Sequence, residues 1–148
     1  FFMQIKDVLK QKGHEVFTID EDKTIFQAMD VLVKNQIGSL LVMNEDGNIT
    51  GIFSERDALR ECFKNEGNCK DIIVKNVMSK NIIFAEADDN IDYVMGIMTK
   101  NRIRHVPVLK DKVLVGIVSI GDIVKASLNE QQFENKYLKD YFYGQAPS

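Results

Sequence analysis

The chain is poor in the residues that most often announce chemistry: in 148 residues it has two cysteines, two histidines and two prolines. Cys62 and Cys69 match neither a CxxC redox pair nor a four-ligand zinc framework, and two cysteines make no disulfide scaffold. The expectation is a reducing compartment, with Cys62 packed as a small apolar side chain. His14 and His105 belong to no nucleophile or metal arrangement. There is no Walker-type Gly-Lys-Ser/Thr loop and no nucleophile elbow, so catalysis is not expected. No apolar run approaches the ~20 residues of a membrane span, and no basic segment followed by a long apolar one marks a secretory signal. A cytoplasmic location, or the matrix of a bacterial-type organelle, fits this pattern. A basic excess is also missing: 22 acidic against 19 basic residues leave a net charge of -3. That balance disfavours nucleic acid or an anionic membrane as partner.

What the chain does have is an internal repeat. The segment from Gly51 to Leu59 reads Gly-Ile-Phe-Ser-Glu-Arg-Asp-Ala-Leu, and that from Gly116 to Val124 reads Gly-Ile-Val-Ser-Ile-Gly-Asp-Ile-Val. Gly, Ser and Asp recur at one offset (116 − 51 = 119 − 54 = 122 − 57 = 65). Upstream the offset is 66, pairing Ile25 with Ile91, Met29 with Met95, Ile37 with Ile103 and Val42 with Val108. The change falls in two turns, Asn44 to Asn48 and Lys110 to Lys112, where length differences are tolerated.

Each copy reads as β-α-β-β-α. A short extended stretch (Val16 to Ile19; Ile82 to Ala85) precedes an amphipathic helix. Its stripe is Ile25, Ala28, Met29 and Leu32, repeated as Ile91, Val94, Met95 and Met98. Thr24 and Asn90 are natural N-caps, and the three methionines read as core. Two β-rich runs follow in each copy, Ser39 to Met43 with Ile49 to Ser54, then Val106 to Leu109 with Val113 to Ser119. Asp46-Gly47 is a strong hairpin signal and Asp111-Lys112 a weaker one. A second helix starts at each Ser-x-x-Asp. The fold class is therefore α/β, with repeats over 5–66 and 67–128 packed as a pair, since neither half buries much alone. Cys62, Phe63, Ile72 and Ile73 read as the apolar connection between them. Residues 129–148 form an amphipathic helix and tail. Phe133, Tyr137 and Tyr141 make an aromatic stripe that covers either this subunit's own core or another subunit, and residues 144–148 read as frayed.

These duplicated Gly-Ile-x-Ser-x-x-Asp segments, each after a helix and hairpin, resemble a tandem cystathionine-β-synthase (CBS) domain pair, or Bateman module. The run from Asn101 to Val108 followed by Gly116 to Val124 is a particularly close match, and the form Ser54-Glu55-Arg56-Asp57 is similar to stand-alone bacterial and mitochondrial members. The resemblance spans about residues 5 to 128. It implies a pseudo-twofold pair with two clefts between the halves, which bind AMP, ADP, ATP or S-adenosylmethionine and in some members NAD(H). It also implies a homodimer and a non-catalytic role, sensing energy or redox state for a separate regulated protein. A structural or protein-interaction pair that binds no ligand is the alternative.

By residue chemistry alone, Ser54 with Asp57 and Ser119 with Asp122 are capping boxes, although Asp reaches back less well than Glu or Gln. The resemblance adds that each Asp accepts from both ribose hydroxyls, while Ser and the helix N-terminus favour a nearby anion. Arg104 and His105 either end a helix as solvated cations or, as the resemblance implies, meet ligand phosphates. Pro107 cannot donate to a ladder and marks an edge or irregular point; the family places adenine against backbone nearby. The first repeat differs, with Gly38-Ser39-Leu40 replacing the basic pair and Arg56 occupying the place of Gly121. Two unequal clefts are expected: one around Asp122 with Arg104 and His105, another around Asp57 with Arg56. His14 lies in a three-residue insertion of the first repeat and is expected at the surface.

Overall fold

A computed structural model describes residues 3–142, with side chains to residue 131. Among the described residues, five α-helices and six strands follow one another: α1 (Ile5–Lys12), β1 (Thr18–Asp20), α2 (Ile25–Asn35), β2 (Ser39–Met43), β3 (Ile49–Ser54), α3 (Glu55–Lys64), β4 (Ala85–Glu86), α4 (Ile91–Asn101), β5 (His105–Lys110), β6 (Val113–Ser119) and α5 (Ile120–Phe142). They form two mixed three-stranded sheets, ordered β1-β2-β3 and β4-β5-β6. In each, the first strand runs parallel to the second and the second pairs antiparallel with the third. The ladder is interrupted at equivalent places, Val42/Met43 and Val108/Leu109.

Local signals explain most of this. Thr24 Oγ1 accepts from Gln27 N at 3.2 Å and the Asn90 side chain accepts from Asp92 N at 2.9 Å, so both expected caps close a helix start. Asp111 and Lys112, the weaker hairpin signal, both take positive φ (52° and 67°) between the paired Lys110 and Val113. That is the backbone of a tight two-residue turn. The Asp46-Gly47 turn is longer, and Asn44 Oδ1 ties it by accepting from Asp46 N and Asn48 N, each at 3.0 Å.

Pro107 acts as expected. Its counterpart Leu41 donates its N–H to Phe17 O at 3.2 Å and pairs with Thr18. Proline has no such donor, and β4 begins one register position later, with Ala85 opposite Val108.

Two findings depart from the sequence reading. The first is α1, absent from the β-α-β-β-α scheme. Its Ile5, Val8 and Leu9 are all at most 1% exposed, and burial of such side chains stabilises by ~1.5–3 kcal/mol each. They join the core of Ala85, Val94, Met98, Val106, Val108, Val118 and Ile123. The compact units therefore cross the sequence repeats: among the described residues the segment before 15 belongs with the chain from 84 onward, and residues 15–83 form the other unit.

Glycine makes this packing possible. A Cβ on Gly116 would meet Leu9 Cδ2 at 2.7 Å, and one on Gly51 would meet Met78 Sδ at 2.5 Å and Ser79 O at 2.8 Å. Leu9 and Met78 are thus equivalent, and each leader segment lies on the sheet formed by the other repeat. The leader hydrogen bonds repeat too. Ile91 N donates to Met3 O and Ile5 N to Asp89 O, while Ile25 N donates to Ile72 O.

The second departure corrects the cysteine reading: Cys62 and Cys69 form a disulfide, with Cα atoms 4.9 Å apart. Beyond α3, Glu66 and Gly67 take positive φ (54° and 89°), and Gly67 N donates to Cys62 O at 2.8 Å. The chain reverses and brings Cys69 back to the helix end. The argument for a reducing compartment from unpaired thiols falls with it. Phe63, read as part of an apolar connection, is instead 86% exposed, whereas Ile72 packs on the core of its unit. His14 is exposed as expected, its Nδ1 lying 2.9 Å from Val115 O. Met98 is fully buried and Met29 and Met95 pack against the cores. The side chains of Phe133, Tyr137 and Tyr141, and the tail 144–148, lie outside the described residues.

The segment after Cys69 covers the start of α2, with Phe26 N donating to Lys70 O at 3.2 Å. Reduction should therefore loosen that cover. Closing so short a loop stabilises by about 2.5 kcal/mol in a chain-entropy reckoning. Urea unfolding with and without reductant should differ by up to that amount, and Cys69→Ser should be insensitive to reductant. An equal midpoint in both conditions would show that the link contributes nothing.

Candidate functional site

In both units the end of the third strand, the start of the last helix and the start of the middle strand converge through the same backbone frame. Ile120 N donates to Arg104 O at 3.0 Å, as Glu55 N does to Gly38 O at 3.0 Å. His105 sits opposite Ser119 across its ladder, and Ser39 opposite Ser54. An N–H that a helix start would leave unpaired is thereby bound to a strand-end carbonyl.

Both Ser-x-x-Asp segments are complete capping boxes. Ser119 N donates to Asp122 Oδ2 at 2.8 Å and Asp122 N donates to Ser119 Oγ at 3.0 Å. The corresponding distances at Ser54 and Asp57 are 2.9 and 3.2 Å. The expectation that Asp reaches back poorly is corrected: an extended backbone at Ser54 (φ −115°, ψ 164°) brings its N–H within range of the shorter carboxylate.

Beyond the caps the two carboxylates differ. At Asp57, Oδ2 also accepts from Ser54 Oγ at 3.1 Å, and Oδ1 accepts from Arg60 Nη2 at 2.8 Å. The Asp57 side chain is 12% exposed, and both oxygens have partners in its own helix and cap. At Asp122, Oδ2 takes Ser119 N and, at 2.7 Å, Lys12 Nζ. The Ser119 hydroxyl also bonds the carboxylate, and the side chain is still 26% exposed. The Asp122 carboxylate is thus the more exposed of the two, 26% against 12% for the Asp57 side chain.

Arg104 and Arg56 are exposed, and neither forms an ion pair with a described residue. Arg56 lies in the first turn of α3, where a cation opposes the helix dipole and stability does not call for it. His105 is half-buried at the start of β5. Gly121 is exposed, and a Cβ there would meet only Ser119 Oγ at 3.6 Å, an ordinary contact. Packing thus tolerates the arginine found at the equivalent place. Pro107 is buried two residues along the same strand as His105.

The residue that sequence reasoning missed is Lys12. It reaches Asp122 from the last turn of α1, 110 positions away (122 − 12), and also donates to Ile117 O. A groove of about 610 Å³ lies elsewhere, between α2 and α3, lined by Met29, Leu32, Val33, Ala58, Leu59 and Cys62 among others. It contains neither Ser54 nor Asp57.

Burial alone pushes the Asp122 carboxyl up, but hydrogen bonds from Lys12 and Ser119, with the charge of Lys12, more than offset it and hold the group below its ordinary value of 3.8. A folded carboxyl with a depressed pKa adds stability above the unfolded value, and that stability is lost as pH falls through the lower folded value. Wild type should therefore exceed Lys12→Met in chemical-denaturation stability at neutral pH. The gap should close between roughly pH 5 and 3. A gap independent of pH would show that Lys12 stabilises the fold by some route other than this carboxylate.

Known proteins supply the context for this geometry. The model of the CBS domain matches residues 5–64 and 74–129. The mitochondrial CBS domain-containing protein CBSX3 of Arabidopsis thaliana is 34% identical over 148 residues, 95% of this chain and 72% of that protein. Among solved structures, a CBS-domain containing protein from Agrobacterium tumefaciens shares 38% identity at a TM-score of 0.80, covering 84% of this chain and 92% of that one. The CBS domain pair of protein MJ0100, solved with 5′-methylthioadenosine and S-adenosyl-L-methionine, shares 27% identity at a TM-score of 0.75, covering 88% and 99%. With its repeated frame of sheet, capping box and helix, the chain belongs to the CBS domain family.

Proposed function

We propose that this chain is a non-catalytic regulatory module that binds an adenine nucleotide and acts on a separate partner protein. The observation that carries the reading is the Asp122 carboxylate, capped through Oδ2 yet 26% exposed, where it can accept from a ribose hydroxyl. Arg104, three residues ahead of Pro107, and His105, paired across the ladder with Ser119, supply donors for phosphate on the same unit. The adenosine compounds held by the MJ0100 domain pair support a ligand of that class. AMP, ADP or ATP fits the basic residues directly. NAD(H) needs the same ribose contact and room for a second nucleotide half.

At the first repeat, the full engagement of Asp57 favours the other reading, a structural half that takes ligand weakly or not at all. Ser39, Ser54 and Arg56 would then serve the frame rather than a nucleotide. Self-association is supported by the α2–α3 groove, where Val33 and Leu59 are 75% and 73% exposed.

Calorimetric titration with AMP, ADP, ATP, NAD(H) and S-adenosylmethionine tests the proposal. Asp122→Ala should weaken binding by about 1.5–3 kcal/mol, the worth of hydrogen bonds to a charged group. Asp57→Ala removes an equivalent cap and should weaken it far less. No heat with any of these compounds would sink the reading; equal losses in the two variants would place the effect in the caps. For the groove, Leu59→Lys should lower the mass in sedimentation if two copies meet there, and an unchanged mass would locate association elsewhere.

A further inference from the structure

Lys12 pairs with Asp122 across the chain, as no described residue does at Asp57, whose partner Arg60 is on its own helix. It arrives from a different part of the chain, and its ammonium bridges the carboxylate Oδ2 and the Ile117 carbonyl. The equivalence of Leu9 with Met78 sets a sequence offset of 69 (78 − 9), by which Lys12 corresponds to Asn81, although the chain there is not helical. The first unit therefore carries no cation at this position of its leader. Arg60, which pairs with Asp57, corresponds to Lys125 (60 + 65), which is exposed and makes no ion pair with Asp122.

The Lys12–Asp122 pair is also exchangeable. The two side chains are 30% and 26% exposed, so the pair is worth at most about 1 kcal/mol to the fold. Lysine presents a compact charge with three rotatable donors on a flexible four-carbon stem, and two of the three are used here. A ribose bound at Asp122 would lie beside the Lys12 ammonium, which is 2.7 Å from the same carboxylate. An anionic 5′ substituent would meet Lys12 and the exposed Arg104, two cations beside one carboxylate. A neutral substituent would gain nothing from Lys12, and a cationic sulfonium would be repelled.

Resting on the nucleotide-binding reading above, we propose that Lys12 is a ligand-site residue. It makes the Asp122 site select adenosine compounds with an anionic 5′ group over neutral or cationic ones. The ammonium holds the carboxylate through Oδ2 and gives a donor to the phosphate, so one side chain from α1 couples ribose recognition to phosphate recognition. The selectivity belongs to this half alone.

The test is calorimetric titration of the full chain with AMP, adenosine and S-adenosylmethionine, comparing wild type with Lys12→Met and Lys12→Arg. Thermal unfolding by circular dichroism reports whether each variant folds. Wild type should prefer AMP to adenosine by roughly 10- to 100-fold, the range of a hydrogen bond between charged groups. Lys12→Met should lose most of that preference through weaker AMP binding, with adenosine changed little, and Lys12→Arg should restore it. Because the readout is a ratio of two ligands on one protein, a general loss of stability would weaken both and leave the ratio in place. An AMP-to-adenosine ratio unchanged in Lys12→Met overturns the role of Lys12 while nucleotide binding stands. Wild type that binds none of the three overturns both readings, and S-adenosylmethionine binding as tightly as AMP overturns the charge selectivity alone.

Discussion

The packing of a leader segment against a glycine on the third strand of each sheet is the constraint on which the rest of the structure depends. Leu9 sits where a Cβ of Gly116 would be, and Met78 with Ser79 O where a Cβ of Gly51 would be. A side chain at either glycine would have to displace a packed apolar group or, at Gly51, backbone that cannot yield cheaply. Because the leader of one repeat is received by the sheet of the other, the units interleave in sequence while each keeps its own core. The arrangement also delivers Lys12, at the end of α1, to the start of α5.

The two halves share a frame and differ in what fills it. Each has the parallel-then-antiparallel sheet, the interruption after the same residue of the middle strand, and a capping box at the last helix. Such a frame satisfies the backbone at a strand-to-helix corner regardless of function. Function would reside in what the frame leaves unsatisfied. In the first half Arg60 pairs with Asp57 from within its own helix, and in the second a cation from α1 pairs with the more exposed Asp122. A duplicated motif can therefore take its charged partner from its own helix in one copy and from a distant segment in the other.

Periodicity and spacing determined a large part of this protein. The stripes of α2 and α4, the caps Thr24 and Asn90, both hairpins and the Ser-x-x-Asp helix starts all depend on neighbours within a few positions, and the structure has them. Pro107 belongs with them, since a residue without an N–H delays strand pairing wherever it stands. Family membership followed from the same local signals, because the motif occurs twice in register.

Tertiary structure alone decided the rest. The i, i+3, i+4 pattern of Ile5, Val8 and Leu9 marks a helix, but not which sheet it covers, because that choice depends on Gly116 more than a hundred residues later. The Cys62–Cys69 bond needed the chain reversal at Glu66 and Gly67, and composition argued against it. The inequality of Asp57 and Asp122 could be suspected from Arg104, His105 and Arg56, yet its origin is a contact between residues 110 positions apart (122 − 12). Local order is written in neighbouring residues, whereas the partner of a carboxylate is whichever side chain the fold brings to it.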